Sequence, residues 1–385
     1  MNTPLAAALA LLLAAAPALA QNPEDVAVSG RARPRDKGYT AALVLEPTSG
    51  HVLFADNADA PVPTASMVKM MTCLIVMEEI EGGRLTLETP VPISARASLM
   101  GGSQIYAKEG QTFTVKTLLA ATMVQSANDA AVALAEKVAG STEAFAARMN
   151  QRGRALGLTH STFYDPHGLP ASDRRDNVMS AHDLATLGME LMTYPLMREY
   201  AAMPTMPFSN GTFTSGMTNP NRLLREYDGA YGIKTGYTVG AGFSVTAAAR
   251  RGNMDLIAVV TGAKQSRGPT SSFAIAGRLL DEAFATNAFV ARARKGAVVG
   301  QATVTGGLPR TVDAVASADA GAVVPRGEEK SVSISFEDAK VKAPVAMGQQ
   351  VGTIVVRAGN REVTRIPALA GAAAAVRPWW RVWGR

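Results

Sequence analysis

The sequence predicts a mixed α/β (α+β) domain followed by a smaller all-β domain. Two strand-like runs at 39–46 and 51–55 flank the turn sequence Pro-Thr-Ser-Gly, which is typical of a hairpin. A long apolar segment then begins near residue 64 and stops at Gly82-Gly83, as a buried helix would. Residues 331–336 alternate strictly between polar and apolar side chains, the pattern of a half-buried strand.

Length and composition indicate a folded globular protein. The chain has 385 residues, of which 47% are hydrophobic and 18% charged, enough for two or three domains. The formal net charge of +6 is mild for this length. It gives no case for a nucleic-acid partner.

The N-terminus predicts export. Residues 1–20 read as a signal peptide, because the apolar run 5–16 is too short to span a bilayer and Ala-Leu-Ala precedes Gln21. The segment lacks an early Lys or Arg, so an uncleaved anchor is the alternative. Residues 21–38 follow as a leader. The single cysteine, Cys73, allows no internal disulfide.

The first motif is Ser66-x-x-Lys69, at the start of the apolar helix. On a helix the two side chains lie one turn apart on the same face. Lys69 is the only charge in 67–77, and burial would lower the pKa of its amine towards that of a base. The pattern therefore favours a serine nucleophile with a lysine base. A helix cap and a surface lysine are the ordinary alternative.

The second motif is Ser126-Ala127-Asn128, in a turn between predicted helices at 114–125 and 129–139. Ser, Asn and Asp also favour helix caps, and we assign capping in part to Asp129. Asn128 would then present its amide to a ligand.

The third motif is Lys234-Thr235-Gly236, followed by Tyr237, on a strand before a hairpin of strands at 243–250 and 254–261. A glycine on a strand lets a ligand approach the backbone closely. By itself the triplet is better interpreted as an ordinary polar strand end.

The histidines do not indicate a metal site. Neither His167 nor His182 has a second histidine or a cysteine at ligand spacing. We interpret all four histidines as structural and expect no metal or other cofactor.

Together the three motifs, in this order, are the signature set of penicillin-binding proteins and serine β-lactamases. The sequence resembles the low-molecular-mass D-alanyl-D-alanine carboxypeptidases, the family of penicillin-binding protein 5, over 38–367. The matching stretches include 57–59, 165–169, 324–327 and 348–353. The resemblance implies a β-lactamase/DD-peptidase-like catalytic domain at 39–288 and a small all-β domain at 289–367.

The resemblance also implies the roles of the site residues and the partners. Ser66 would be the nucleophile, Lys69 the base and Ser126 the proton relay. The implied substrate-binding residues are Asn128, Lys234, Thr235, Gly236, Tyr237 and, after the last strand of the sheet, Arg267. Peptidoglycan stem peptides would be the substrate and β-lactams covalent inhibitors.

Two rival functions share these motifs. A class A β-lactamase carries a deacylating glutamate in a Glu-x-x-Leu-Asn segment between the second and third motifs, and we find none here. A non-catalytic wall-binding or β-lactam-sensing module would need no intact set of catalytic groups. The sequence therefore favours a carboxypeptidase that penicillin inhibits.

The C-terminal segment 368–385 predicts a membrane-interface tail. Indoles suit the headgroup level of a bilayer and cations suit anionic lipid. The segment is too short to span the membrane, so we expect peripheral attachment to the outer face of the cytoplasmic membrane, in the periplasm. A disordered tail, or one packed on the β domain, is the alternative. Tryptophans and arginines are interleaved along the end of this segment: Arg377, Trp379, Trp380, Arg381, Trp383 and Arg385.

Overall fold

A computed structural model describes residues 37–170, 175–210 and 214–378. The predicted signal peptide, nearly all of the leader and the three tryptophans of the tail lie outside the described residues. In the part of the chain that is described, no helix is both long and apolar enough to cross a bilayer.

The described chain is a succession of short and long helices and mostly antiparallel strands. The α-helices are α1 (Lys69–Glu81), α2 (Ala95–Ser98), α3 (Val115–Ala120), α4 (Asn128–Ala139), α5 (Thr142–Ala155), α6 (Ala181–Leu191), α7 (Pro195–Ala202), α8 (Leu223–Glu226) and α9 (Ser272–Thr286). The strands up to α9 are β1 (Ala41–Glu46), β2 (His51–Asp56), β3 (Val62–Pro63), β4 (Pro90–Pro92), β5 (Thr112–Thr114), β6 (Val178–Met179), β7 (Thr205–Ser209), β8 (Thr214–Thr218), β9 (Ala230–Thr238), β10 (Gly242–Arg251) and β11 (Met254–Ala263). Those after α9 are β12 (Asn287–Ala293), β13 (Val298–Thr305), β14 (Gly307–Leu308), β15 (Thr311–Ala316), β16 (Ala320–Pro325), β17 (Val332–Asp338), β18 (Val341–Lys342), β19 (Gln350–Ala358), β20 (Arg361–Ala370) and β21 (Ala375–Val376).

The catalytic region is organised around a five-stranded antiparallel sheet of order β2-β1-β11-β10-β9. Helix α9 packs on one face together with Leu223 of α8, and helices α1 to α7 contribute to a larger core on the other. Strand β1 is buried along its whole length because both of its faces are covered, which explains its continuous apolar sequence. Strand β9, which carries the Lys-Thr-Gly motif, is an edge strand of this sheet.

Helix α1 is buried on nearly every side, as its sequence predicts. It ends at Glu81 with Gly82 as the capping residue, at the predicted position. Burial raises the pKa of the Cys73 thiol on this helix to about 12, so the thiol stays protonated. Cys73 lies in the hydrophobic core of this region.

A separate sheet follows α9, with strand order β17-β19-β20-β15-β13-β18. The β12–β16 pair joins the two regions, since Val323 of β16 packs into the core beneath α9. The predicted mixed architecture with an all-β C-terminal region is confirmed. The boundary predicted at residue 367 falls inside β20, which continues to Ala370, and β21 pairs with β14 beyond it.

The hairpin β7–β8 lies in a segment for which the sequence motifs predict no strand. It pairs Thr205 with Thr218 and Ser209 with Thr214. The signal that could have revealed it is the Asn-Gly pair at 210–211 between alternating residues, a common hairpin turn.

Candidate active site

The two serines and two lysines of the motifs meet between the sheet edge and the helical core. Ser66 lies in a 3₁₀ turn, Ala65–Val68, directly before α1, and Lys69 is the first residue of that helix. Two glycines let this turn pack closely: a Cβ at Gly236 of β9 would lie 2.6 Å from the carbonyl oxygen of Thr64, and one at Gly168 would overlap the backbone of Ala65.

Lys69 is fully buried and bound on two sides. Its Nζ lies 2.8 Å from Oγ of Ser66 and donates a hydrogen bond to the carbonyl oxygen of His167 at 2.6 Å. Burial, and secondarily the nearby Lys234 ammonium, lower the pKa of Lys69 well below its ordinary value. A neutral amine in this position directs its lone pair at the Ser66 hydroxyl, as a general base must.

Ser126 is held in the left-handed conformation, φ 62°, between a π-helical turn and α4. Its hydroxyl lies 2.8 Å from Nζ of Lys234, which is itself buried. Burial lowers the pKa of Lys234 to about 7. The structure therefore places a lysine against each of the two motif serines.

Asn128 is the first residue of α4, and a loop fixes its amide. Its Nδ2 donates to the carbonyl oxygen of Gly101 at 2.7 Å, and its backbone N–H donates to Ser103 O at 2.8 Å. Oδ1 of Asn128 is buried, and no described residue donates a hydrogen bond to it. A buried acceptor without a donor is costly, so this oxygen is available to a ligand N–H.

Asp129 has the capping role assigned to it in part, because its Oδ1 accepts a hydrogen bond from the backbone N–H of Ala130 in the first turn of α4, at 2.9 Å. The N-cap residue itself is Ala127, whose side chain cannot accept a hydrogen bond. The carboxylate of Asp129 also accepts hydrogen bonds from the backbone N–H groups of Ile105, at 3.0 Å, and Ala107, at 3.2 Å. Asp129 thereby anchors residues 105–107, which follow directly on the loop 101–103 that holds Asn128.

The residue that follows the Lys-Thr-Gly motif lies at the protein surface. Tyr237 is exposed and stacks on Phe243 of the neighbouring strand, with ring centroids 4.1 Å apart. Both rings line a cavity of about 360 Å³ at the end of the sheet, together with Thr40 and Lys264. Arg267 is exposed in the following loop and does not line this cavity.

Sequence reasoning missed the segment that supports Lys69. The carboxylate of Asp165 accepts hydrogen bonds from the backbone N–H groups of His167, at 2.8 Å, and Gly168, at 2.5 Å. This turn aims the His167 carbonyl at Lys69. The His167 ring accepts a hydrogen bond from the Leu169 N–H at 3.0 Å, and burial lowers its pKa to about 4, so the ring is neutral and structural. The sequence signal that could have revealed this segment is the turn sequence Asp-Pro-His-Gly.

The comparisons with known proteins identify the family. A family model described as D-alanyl-D-alanine carboxypeptidase matches residues 30–265, more than half of the chain, and one described as the penicillin-binding protein 5 C-terminal domain matches residues 291–375. The chain belongs to the D-alanyl-D-alanine carboxypeptidase family. The predicted membership, fold class and enzyme class, a serine-type D-Ala-D-Ala carboxypeptidase, are confirmed.

Individual relatives agree with this assignment. The carboxypeptidase DacF of Bacillus subtilis is 32% identical over 86% of this chain and 84% of its own, and DacC of Escherichia coli is 32% identical over 86% and 82%. Among solved structures, penicillin-binding protein 3 of Streptococcus pneumoniae has a TM-score of 0.76 at 29% identity, covering 87% of this chain and 99% of its own. Penicillin-binding protein 5 of Haemophilus influenzae has a TM-score of 0.67 at 26% identity, covering 90% and 100%.

Proposed function

We propose that this carboxypeptidase removes the terminal D-Ala from peptidoglycan stem pentapeptides through an acyl-enzyme on Ser66. The observation that carries the proposal is the pair of buried lysines, each 2.8 Å from a motif serine. A surface lysine or a capping serine has no need of such contacts, and two buried amines are costly unless they have a function.

Acylation begins with Lys69. Its neutral amine takes the proton of the Ser66 hydroxyl, and Oγ attacks the carbonyl carbon of the penultimate D-Ala. The backbone N–H groups of Ser66 and Tyr237 are the donors assigned to the developing oxyanion. One such donor is worth about 3–4 kcal/mol.

Breakdown of the tetrahedral intermediate needs a proton on the leaving amine. Ser126 is the proposed donor, because Lys234 contacts its hydroxyl and the pKa of Lys234, about 7, permits proton exchange near neutral pH. The free D-Ala then leaves, and water hydrolyses the acyl-enzyme to regenerate Ser66.

Asn128 orients the acyl part of the substrate. Since Gly101 holds its Nδ2, the buried Oδ1 is the atom left to accept the amide N–H of the stem peptide. This assignment explains why a buried amide oxygen has no donor among the described residues.

The terminal carboxylate of the substrate is assigned to Lys234 and Thr235. A further cation for this carboxylate would be either Arg267 or Lys264. Arg267 follows from the family resemblance, but Lys264 is the cation that lines the cavity beside Tyr237. We expect Lys264→Gln to raise KM for a pentapeptide about tenfold with little change in kcat, the loss of about 1.4 kcal/mol of binding. Arg267→Gln is the matched variant, and its KM should stay within about twofold of the wild-type KM. Steady-state kinetics of D-Ala release decide between them, and the reverse result would assign the carboxylate to Arg267.

A single experiment separates the carboxypeptidase from a β-lactamase. The purified protein should release D-Ala from a pentapeptide, and labelled penicillin should acylate Ser66 and leave slowly, because no Glu-x-x-Leu-Asn segment supplies a deacylating base. Peptide mass mapping locates the label, and a chase measures its half-life. Rapid penicillin turnover without D-Ala release would support the β-lactamase instead. Related structures, such as penicillin-binding protein D2 of Listeria monocytogenes, were solved with ampicillin bound.

An enzyme that acts on peptidoglycan works outside the cytoplasm, and we propose the periplasm with a peripheral membrane attachment through the tail. Indoles and cations clustered in 379–385 support this proposal. The described chain also defines the truncation to use: β21 pairs with β14, so a version ending at Pro378 keeps the folded β region.

We expect the mature protein to pellet with anionic liposomes at low salt and to be released by salt, since about 1 kcal/mol per cation is screened. The version that ends at Pro378 should remain in the supernatant. Co-sedimentation measures both, with neutral vesicles as the control. Equal pelleting of the two proteins would show that the tail is not an anchor.

A further inference from the structure

The exposed apolar side chains of the catalytic region are concentrated around the site. Nine large apolar or aromatic side chains are exposed among the described residues, and four of them belong to the C-terminal β region. The other five all lie on segments that frame the site, and we call them the aromatic rim: Leu99, Tyr106, Tyr164, Tyr237 and Val239. Exposed apolar side chains on the segments that border a site are candidates for contact with a ligand.

One side of the rim belongs to the loop that holds the motif asparagine. Leu99 and Tyr106 flank this loop, whose Gly101 and Ser103 carbonyl oxygens bind Asn128. Their exposed side chains are therefore anchored, through the backbone, to a residue that contacts substrate.

The rest of the rim lies beside the turn that supports Lys69 and at the end of the edge strand β9. Tyr164 directly precedes Asp165, and the guanidinium of Arg175 lies 5.5 Å from the centroid of its ring. Tyr237 follows the Lys-Thr-Gly motif and is held by stacking on Phe243. Both rings are fixed in place, so binding a ligand on them costs little conformational entropy.

Two tyrosines of the rim also have a cation nearby. Arg175 lies over Tyr164, and Lys264 lines the same cavity as Tyr237. Flat rings beside cations suit a ligand with apolar ring faces and carboxylates. Glycan-linked stem peptides have both, as N-acetylhexosamine rings and free carboxyl groups.

We propose that the aromatic rim binds the sugar rings to which the stem peptide is attached, so that the enzyme prefers glycan-linked stem peptides to free ones. This inference rests on the proposed carboxypeptidase function. Four residues separate the attacked carbonyl from the sugar, a span of at most about 14 Å, so the sugar stays close to the site.

The test compares two substrates, a free pentapeptide and the same pentapeptide linked to its disaccharide. The variants are Tyr106→Asn and Tyr164→Ser, singly and together; asparagine is chosen because Tyr106 has φ 56° and asparagine tolerates that conformation. In the double variant kcat/KM for the disaccharide substrate should fall about tenfold, and that for the free pentapeptide less than about twofold.

Val298→Ser is the matched control, since Val298 is 58% exposed in the β region and Tyr106 is 61% exposed in the rim. The control should change neither substrate, and the rate of penicillin acylation should be unchanged in all variants. Equal losses on both substrates, or no loss on the disaccharide substrate, would overturn the sugar-binding rim. A wild-type protein that releases no D-Ala from either substrate would overturn the carboxypeptidase proposal itself.

Discussion

The Ser66→Ala variant should lose both D-Ala release and covalent labelling by penicillin. Without Oγ no acyl-enzyme forms, and removal of a nucleophile of this type lowers kcat by more than about 10⁴-fold. D-Ala release from a pentapeptide and mass spectrometry after exposure to penicillin measure the two losses. The fold should persist, because Lys69 keeps its hydrogen bond to the His167 carbonyl.

Ser98→Ala is a suitable control, since Ser98 is also half-buried and its hydroxyl bonds only a neighbouring carbonyl. It should retain wild-type rates. If Ser66→Ala released D-Ala at the wild-type rate while its circular dichroism was unchanged, the nucleophile would have to lie elsewhere.

The Lys69→Arg variant should lose acylation near neutral pH. Arginine stays protonated at any pH compatible with the fold, so it cannot accept the Ser66 proton. General-base catalysis contributes about 10²–10⁴-fold, and the acylation rate by penicillin should fall by that amount. Stopped-flow or quenched labelling measures it, and acylation at the wild-type rate would refute the role of Lys69 as base.

The pH dependence provides an independent check. Because acylation needs the neutral amine of Lys69, the wild-type rate should fall as the pH drops through the lowered pKa of this group. Lys234→Arg is the comparison: it keeps a cation at the carboxylate site and should raise KM more than it lowers the acylation rate at saturation.

The sequence alone determined the family, the fold class and the motif residues that the structure brings together. Ser66 and Lys69 could be paired because three residues on a helical turn place two side chains on one face, whatever the rest of the chain does. The buried helix around Lys69 could be predicted because it is apolar on every side. In both cases the information is local, held within about one or two turns of the chain.

Only the tertiary structure decided which distant groups complete the site. The His167 carbonyl reaches Lys69 across 98 positions of the chain, and Lys234 reaches Ser126 across 108. The Asp-Pro-His-Gly sequence indicates a turn, but it does not indicate that the carbonyl of this turn faces Lys69, so this partner of Lys69 could not be predicted. The same holds for Asp129, whose carboxylate bonds the N–H of Ile105, 24 positions away, as well as its own helix. The packing of β9 against the turn of Ser66 fixes these contacts, because side chains separated by a hundred residues meet only when the sheet edge and the helical core close on each other.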